Sequence, residues 1–435
     1  MSDRRGFYRS VVFANVLVLV GGLAGLVGHS VVPDAAGPST LVGPPVDARY
    51  EWRDLPYAPI NGDLPRIGNS GVWTGTEFIV WGGAGHVIGH CPLRQHDGAA
   101  FDPGTGTWER LPEGPLASRV GHVTAWTGEE MIVWGGSGAP PHDNCRSDLL
   151  DDGARYDPRA RRWRALPASP LGARTGAVGI WTGEALLVWG GQAATSQVEP
   201  FYIPLLDGAA FDPGAHSWRP IAPIPSRVAV RPVAIWADGE VLVWSDRRGS
   251  AYDPARDAWR RLARSPVTIF WDTPITWSQD LLWVFAEHDD TDLFSYDPSA
   301  DKWTAWPRSP IPGTSEDRFS PGYTAVWADG ELVVWGGDRP HVSEPCTHEG
   351  DRAFGSCGSR PYGPEGAIFD PDARAWRVIA PSPIGRRRAV SAVWTGTDVI
   401  LFGGFDPEFR NAGQNYVPSP RIAGTGTRLA LRSSG

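Results

Sequence analysis

Four arginines stand seven residues ahead of a tryptophan: Arg66, Arg119, Arg174 and Arg387, before Trp73, Trp126, Trp181 and Trp394. Arg227 and Arg318 sit two positions off that register. Some way downstream comes an acidic residue: Asp97, Asp152, Asp207, Asp292 or Glu365. A guanidinium is a planar fork of donors that matches a carboxylate, so the arrangement has two uses. The arginines can pair with those acids between repeated units as part of the frame. Alternatively they form a partial crown for a carboxylate, sulfate or phosphorylated ligand.

Histidines and cysteines make the second constellation. Cys91, Cys145, Cys346 and Cys357 are the four cysteines of the chain, with His86, His90, His96, His142, His341 and His348 nearby. An even number of cysteines in an exported chain points to disulfides, with three pairings open. Cys91–Cys145 and Cys346–Cys357 are the preferred pairs. The rival is a metal site, but no C-x-x-C or H-E-x-x-H spacing supports one, so none is assigned. The ligand residues assigned are Arg66, Arg119, Arg174, Arg387, His86, His90 and His142. No G-x-S-x-G, phosphate loop or isolated carboxylate pair occurs, so no catalytic set or cofactor is assigned either. A net charge of −9 gives a nucleic-acid partner no electrostatic support.

These residues hang on a repeat. Trp73, Trp126, Trp181, Trp236, Trp277, Trp327 and Trp394 are each followed eight residues later by an aromatic: Trp81, Trp134, Trp189, Trp244, Phe285, Trp335 and Phe402. Gly-Gly follows that aromatic in five of the seven units. A Phe/Tyr-Asp-Pro comes next, at Phe101, Tyr156, Phe211, Tyr252, Tyr296 and Phe369. Six residues beyond each of its aspartates stands another tryptophan: Trp108, Trp163, Trp218, Trp259, Trp303 and Trp376. Fixed spacing inside a variable period marks one supersecondary unit with a rigid frame and a free loop. Runs such as VTAW and MIVW have strand length and composition, and the turn between them carries glycine in six of the seven units.

Each unit therefore reads as a four-stranded antiparallel meander, which must stack on its neighbours to bury both faces. Radial stacking needs small residues where innermost strands converge, and Gly71, Gly121, Gly179 and Ser391 stand there. The last unit shows only three strands, assigned to AVSAVW, DVILF and QNYVP. The unmatched YEWRDLPYAPI ahead of the first unit supplies the fourth through Trp52, which closes the ring and removes an open edge. The expectation is an all-β, seven-bladed propeller over 49–418, with 419–435 as a tail.

The Gly-Gly doublet, the Tyr/Phe-Asp-Pro turn and the spaced tryptophan resemble kelch repeats, over residues 50–418. The units holding Trp244-Ser245-Asp246 and Phe285-Ala286-Glu287 depart from that pattern. The resemblance implies a kelch-type propeller of the galactose oxidase-like superfamily, whose members serve as enzymes, adhesion modules and adaptors. It implies that the long loops share a face with the blade-to-blade crossings, and in adaptors of this kind an arginine at the crossing contacts acidic peptides. The copper-holding tyrosine, histidine and cysteine set of the oxidases has no match here.

Ahead of the repeats, Arg4, Arg5 and Arg9 precede an apolar run from Val11 to Gly28. Eighteen residues of helix span about 27 Å, enough for a thin bilayer core. Residues 1–29 read as a signal-anchor or a cleaved signal peptide with the bulk of the chain outside, and 30–48 as a linker. The functional expectation is an exported propeller, held at the cell membrane, that binds a protein or glycan through its loop-rich face. The alternative is a carbohydrate-acting enzyme, an oxidase or epimerase, using the same face.

Overall fold

In the computed structural model the repeated runs pair as antiparallel meanders. Residues 46–60, 66–85, 94–138, 148–194, 202–228, 232–286, 291–311, 322–337, 364–405 and 426–431 are described. Blade one consists of Ser70–Trp73, Phe78–Trp81, Gly98–Asp102 and Thr107–Arg110. Blade two repeats the pattern with Val123–Trp126, Met131–Trp134, Gly153–Asp157 and Arg162–Ala165. Five further four-stranded sheets follow, making seven in all. The innermost strand of each blade packs against those of both neighbours, and the strand Arg388–Trp394 of blade seven packs against Ser70–Trp73 of blade one. The ring is closed.

Local chemistry explains the meander. In blade one the turn is set by Gly75 at φ 99°, where only glycine sits comfortably. Blade five lacks a glycine and uses Gln279 and Asp280 at φ 54° and 59° instead. Each Asp-Pro turn is held by its aspartate, as when Asp102 Oδ1 accepts from the Gly104 N–H at 2.7 Å.

Two series of aromatics meet across every blade boundary. The second-strand ring of one blade packs on the fourth-strand tryptophan of the next: Trp81 on Trp163 at 5.7 Å, Trp134 on Trp218 at 5.8 Å, Trp189 on Trp259 at 5.4 Å. Trp244 meets Trp303, Phe285 meets Trp376, Trp335 meets Trp52 and Phe402 meets Trp108 to complete the circle. Most of these tryptophans also donate their indole N–H to a carbonyl of the preceding blade's exit, as Trp163 does to Pro112 O at 3.1 Å and Trp108 to Pro56 O at 2.9 Å. The core is thus a set of seven inter-blade layers rather than one central mass.

Blade seven joins the two chain ends. Its order is Arg388–Trp394, Asp398–Phe405, Gly426–Leu431 and then Tyr50–Asp54 from the N-terminal side. Trp52 lies opposite Leu429 and donates to Ala380 O at 2.6 Å, so the N-terminal closure holds. The third strand differs from the expectation. It is GTRLAL, inside the stretch taken for a tail, and not QNYVP, whose residues lie outside those described. The linker boundary also shifts, because Asp47 N–H already donates to Val378 O of blade six at 2.8 Å. Arg49 and Arg377 clamp the Asp47 carboxylate at 2.8 Å each, and Arg49 reaches Glu331 at 3.0 Å.

No helix among the described residues is long and apolar enough to cross a membrane. The apolar run at 11–28, all four cysteines, and His86, His90 and His142 lie outside the described residues.

Candidate functional site

In a four-stranded meander the crossings and the connections between second and third strands leave the sheet at the same end. This crossing face is where the arginines sit. Arg119 and Arg174 are 0% and 1% exposed, Arg66 and Arg387 3% each. Arg174 donates to Gly190 O at 3.0 Å and forks onto Asp207 at 2.9 and 2.8 Å, while its Nε reaches Gly172 O. Arg119 repeats this with Gly135 O at 3.0 Å, Asp152 at 3.2 Å and Ala117 O. Arg66 donates to Gly82 O at 3.3 Å and to Asp97 at 2.5 Å, and Arg387 to Gly403 O at 3.0 Å. Burial pulls the Arg66 guanidinium below its ordinary pKa, with Asp97 acting against the shift.

Gly135 and Asp152 flank one connection, and Gly190 and Asp207 flank the next. One guanidinium therefore ties both ends of a loop, and a loop so held presents its middle from a fixed base. The side-chain pairing expected between blades lies within the blade in blades one, two and three. The link between blades is made by the arginine backbone instead. Gly83, Gly136 and Gly337 donate their N–H groups to the carbonyls of Arg119, Arg174 and Arg387 in the following blade, at 3.1, 2.8 and 3.0 Å. The doublet must be glycine because the next crossing comes so close: a Cβ at Gly336 would lie 2.3 Å from Arg387 O.

Blades four and five do without this clamp. Ser245-Asp246 replaces the doublet, with Asp246 at φ 56°, and Asp246 exchanges two backbone hydrogen bonds with Ile269 of the crossing to blade five, at 2.9 and 2.8 Å. In blade five the carboxylate of Asp292 accepts from Ser309 N–H at 2.8 Å and from its hydroxyl at 2.6 Å. Burial pushes the Asp292 carboxyl up, against those two bonds.

A polar arc, which spacing did not reveal, runs along the inner end of the same face. Asn69 of blade one donates to Ser391 Oγ of blade seven at 2.9 Å. The Ser70 hydroxyl bonds His122 Nε2 and lies 2.5 Å from Thr124 Oγ1 in blade two. Gly121 O then accepts from Gly176 N–H in blade three at 2.9 Å. His122 stands edge-on to Trp81 at 5.4 Å. Burial, with the nearby Arg119 charge adding to it, pushes its imidazole down to about 3. A ring held neutral in this way is a weaker proton acceptor than an ordinary imidazole. The legible signal was Arg-x-Gly ahead of Asn69, His122 and Ala177, with Gly68, Gly121 and Gly176 at φ 63°, 63° and 64°.

Of the ligand residues assigned from spacing, the four arginines share this face. His96 is described and exposed. Among the described residues, no group of three or more His, Cys, Asp or Glu side chains is placed to hold a metal. No protein-family model matches the chain, and no curated protein matches it.

Proposed function

We propose that the chain is an exported kelch-type propeller that binds a protein or glycan ligand at the cell surface through its crossing face. The observation that carries this reading is the double tie on the loops. Arg119 and Arg174 each fasten both ends of a long connection between the second and third strands. Rigid scaffolds that hold long loops at fixed roots place binding residues on those loops. In this reading Arg66, Arg119, Arg174 and Arg387 are positioning residues, and His86, His90 and His142 are the loop side chains that meet the ligand.

The apolar run at 11–28, with Arg4, Arg5 and Arg9 before it, serves as the membrane anchor or export signal. Cys91–Cys145 and Cys346–Cys357 then form in an oxidising compartment. The test is a glycan array and a surface-protein capture with the full chain in detergent, beside protease accessibility on intact cells. Binding by neither class of ligand, or a propeller shielded from external protease, would sink the proposal. Four titratable thiols in the exported chain would remove the disulfides.

A further inference from the structure

The frame positions use up nearly all the tryptophan. Of the 22 in the chain, all are described, and every one except Trp271 is buried or half-buried. Trp271 is 58% exposed and belongs to none of the three spaced series. It sits on the crossing into blade five, one residue after the place where blades one, two, three and seven carry their buried arginine, held there by Phe270.

Its backbone is tightly fixed. Phe270 N–H donates to Thr273 Oγ1 at 2.8 Å and Thr273 N–H returns to Phe270 O at 2.9 Å, so Trp271 and Asp272 form the corner of a turn. The buried Ile269 anchors that turn to Asp246 by two backbone bonds. Beside it runs the blade-four hairpin, with Asp246 and Arg248 exposed. Only residues 246–247 separate the second and third strands of that blade, so this sector of the rim is low.

We infer that Trp271 is a stacking platform for a pyranose ring, an assignment that rests on the crossing face being the ligand face. An indole face is electron-rich and attracts the weakly positive C–H groups on one side of a sugar. Carboxylate and guanidinium groups along the neighbouring hairpin suit the hydroxyls at the sugar's edge. A protein partner fits poorly, because a stable interface needs about 800 Å² per side with an apolar centre. Here one exposed ring stands beside a hairpin that carries the exposed Asp246 and Arg248.

The test uses the full chain in detergent and a panel of hexopyranose oligosaccharides, read by intrinsic fluorescence and acrylamide quenching. One indole should be quenched readily, and a bound saccharide should protect it. Trp271→Ala should lose roughly tenfold or more in affinity while Trp271→Tyr keeps most of it, since the stacking face survives. Melting should not change, because the side chain fills no core. Saccharide binding that survives Trp271→Ala overturns the platform and leaves the face reading standing. A protein ligand, but no saccharide, lost in Trp271→Ala overturns the sugar class. Failure of every saccharide and every protein defeats both.

Discussion

Gly136 donates its N–H to the carbonyl of Arg174 at 2.8 Å, across the boundary between blades two and three. The same arginine turns its side chain inward to Gly190 and Asp207 of its own blade. One residue thus joins two sheets and closes the base of a loop, which makes it a point where stability and loop placement are coupled.

Arg174→Ala should destabilise the propeller by about 2–3 kcal/mol, the loss of several charge-assisted hydrogen bonds from a buried group. Arg174→Lys should recover less than half, because an ammonium cannot fork onto Asp207 and reach Gly190 together. Denaturant unfolding of both variants checks this, and an alanine variant as stable as the parent would refute the clamp.

Acid should weaken the fold in two steps. His122 is pushed down from 6.5 to about 3, so the unfolded chain takes up a proton that the native state refuses. Its contribution is complete above pH 6.5 and is lost as pH falls toward 3, by up to about 5 kcal/mol. At Asp47 burial raises the carboxyl, but the bonds from Arg49 and Arg377 outweigh it and hold it at about 2, from 3.8. That contribution is present above pH 3.8 and fades toward pH 2. Stability measured against pH should fall below 6.5, and His122→Asn should flatten the upper step alone.

Ending the chain before Gly426 should abolish folding, not merely trim a tail. The cut removes the partner of both Asp398–Phe402 and Tyr50–Asp54, leaving blade seven with two unpaired edges. Circular dichroism and size-exclusion chromatography of the truncated chain would show a folded monomer only if the closure is wrong.

Gly208→Ala should cost about 2–3 kcal/mol, an overpacking loss. A Cβ there would lie 2.1 Å from Cδ1 of Trp189, which is wholly buried. Gly98, Gly153, Gly249 and Gly366 face their own second-strand tryptophans the same way. Blade five has Leu293 at this position because its ring is the smaller Phe285. A thermal melt of Gly208→Ala indistinguishable from the parent would count against this packing.

That last pairing shows what the residue order made plain and what it concealed. The seven blades, the Asp-Pro turns and the Trp52 closure were legible, because strand period and aromatic spacing are local signals. The third strand of blade seven was mistaken for QNYVP because Tyr416 imitates the Tyr-Asp-Pro frame. The glycine that opens a third strand marks it better, as Gly426 does in TGTRLAL. The arginines and their partners Asp97, Asp152 and Asp207 were found, but the pairs were expected between blades and lie within one. Whether a guanidinium reaches into its own sheet or the next depends on how the crossing bends at Gly121 or Gly176, which spacing cannot express. His122 and the inner arc were missed for the same reason, since Ser70 and His122 stand 52 positions apart and Asn69 and Ser391 322.

Trp52 lies opposite Leu429, so one of the first residues of the barrel-like circle to be synthesised waits for one of the last. Six blades can form as the chain lengthens, yet the seventh must stay unfinished until Gly426–Leu431 has been made. Throughout that interval the surface where Trp52 meets Trp335 of blade six lacks the strand that Tyr50–Asp54 pairs with. A cell making this protein has to shelter that surface until the final strand arrives.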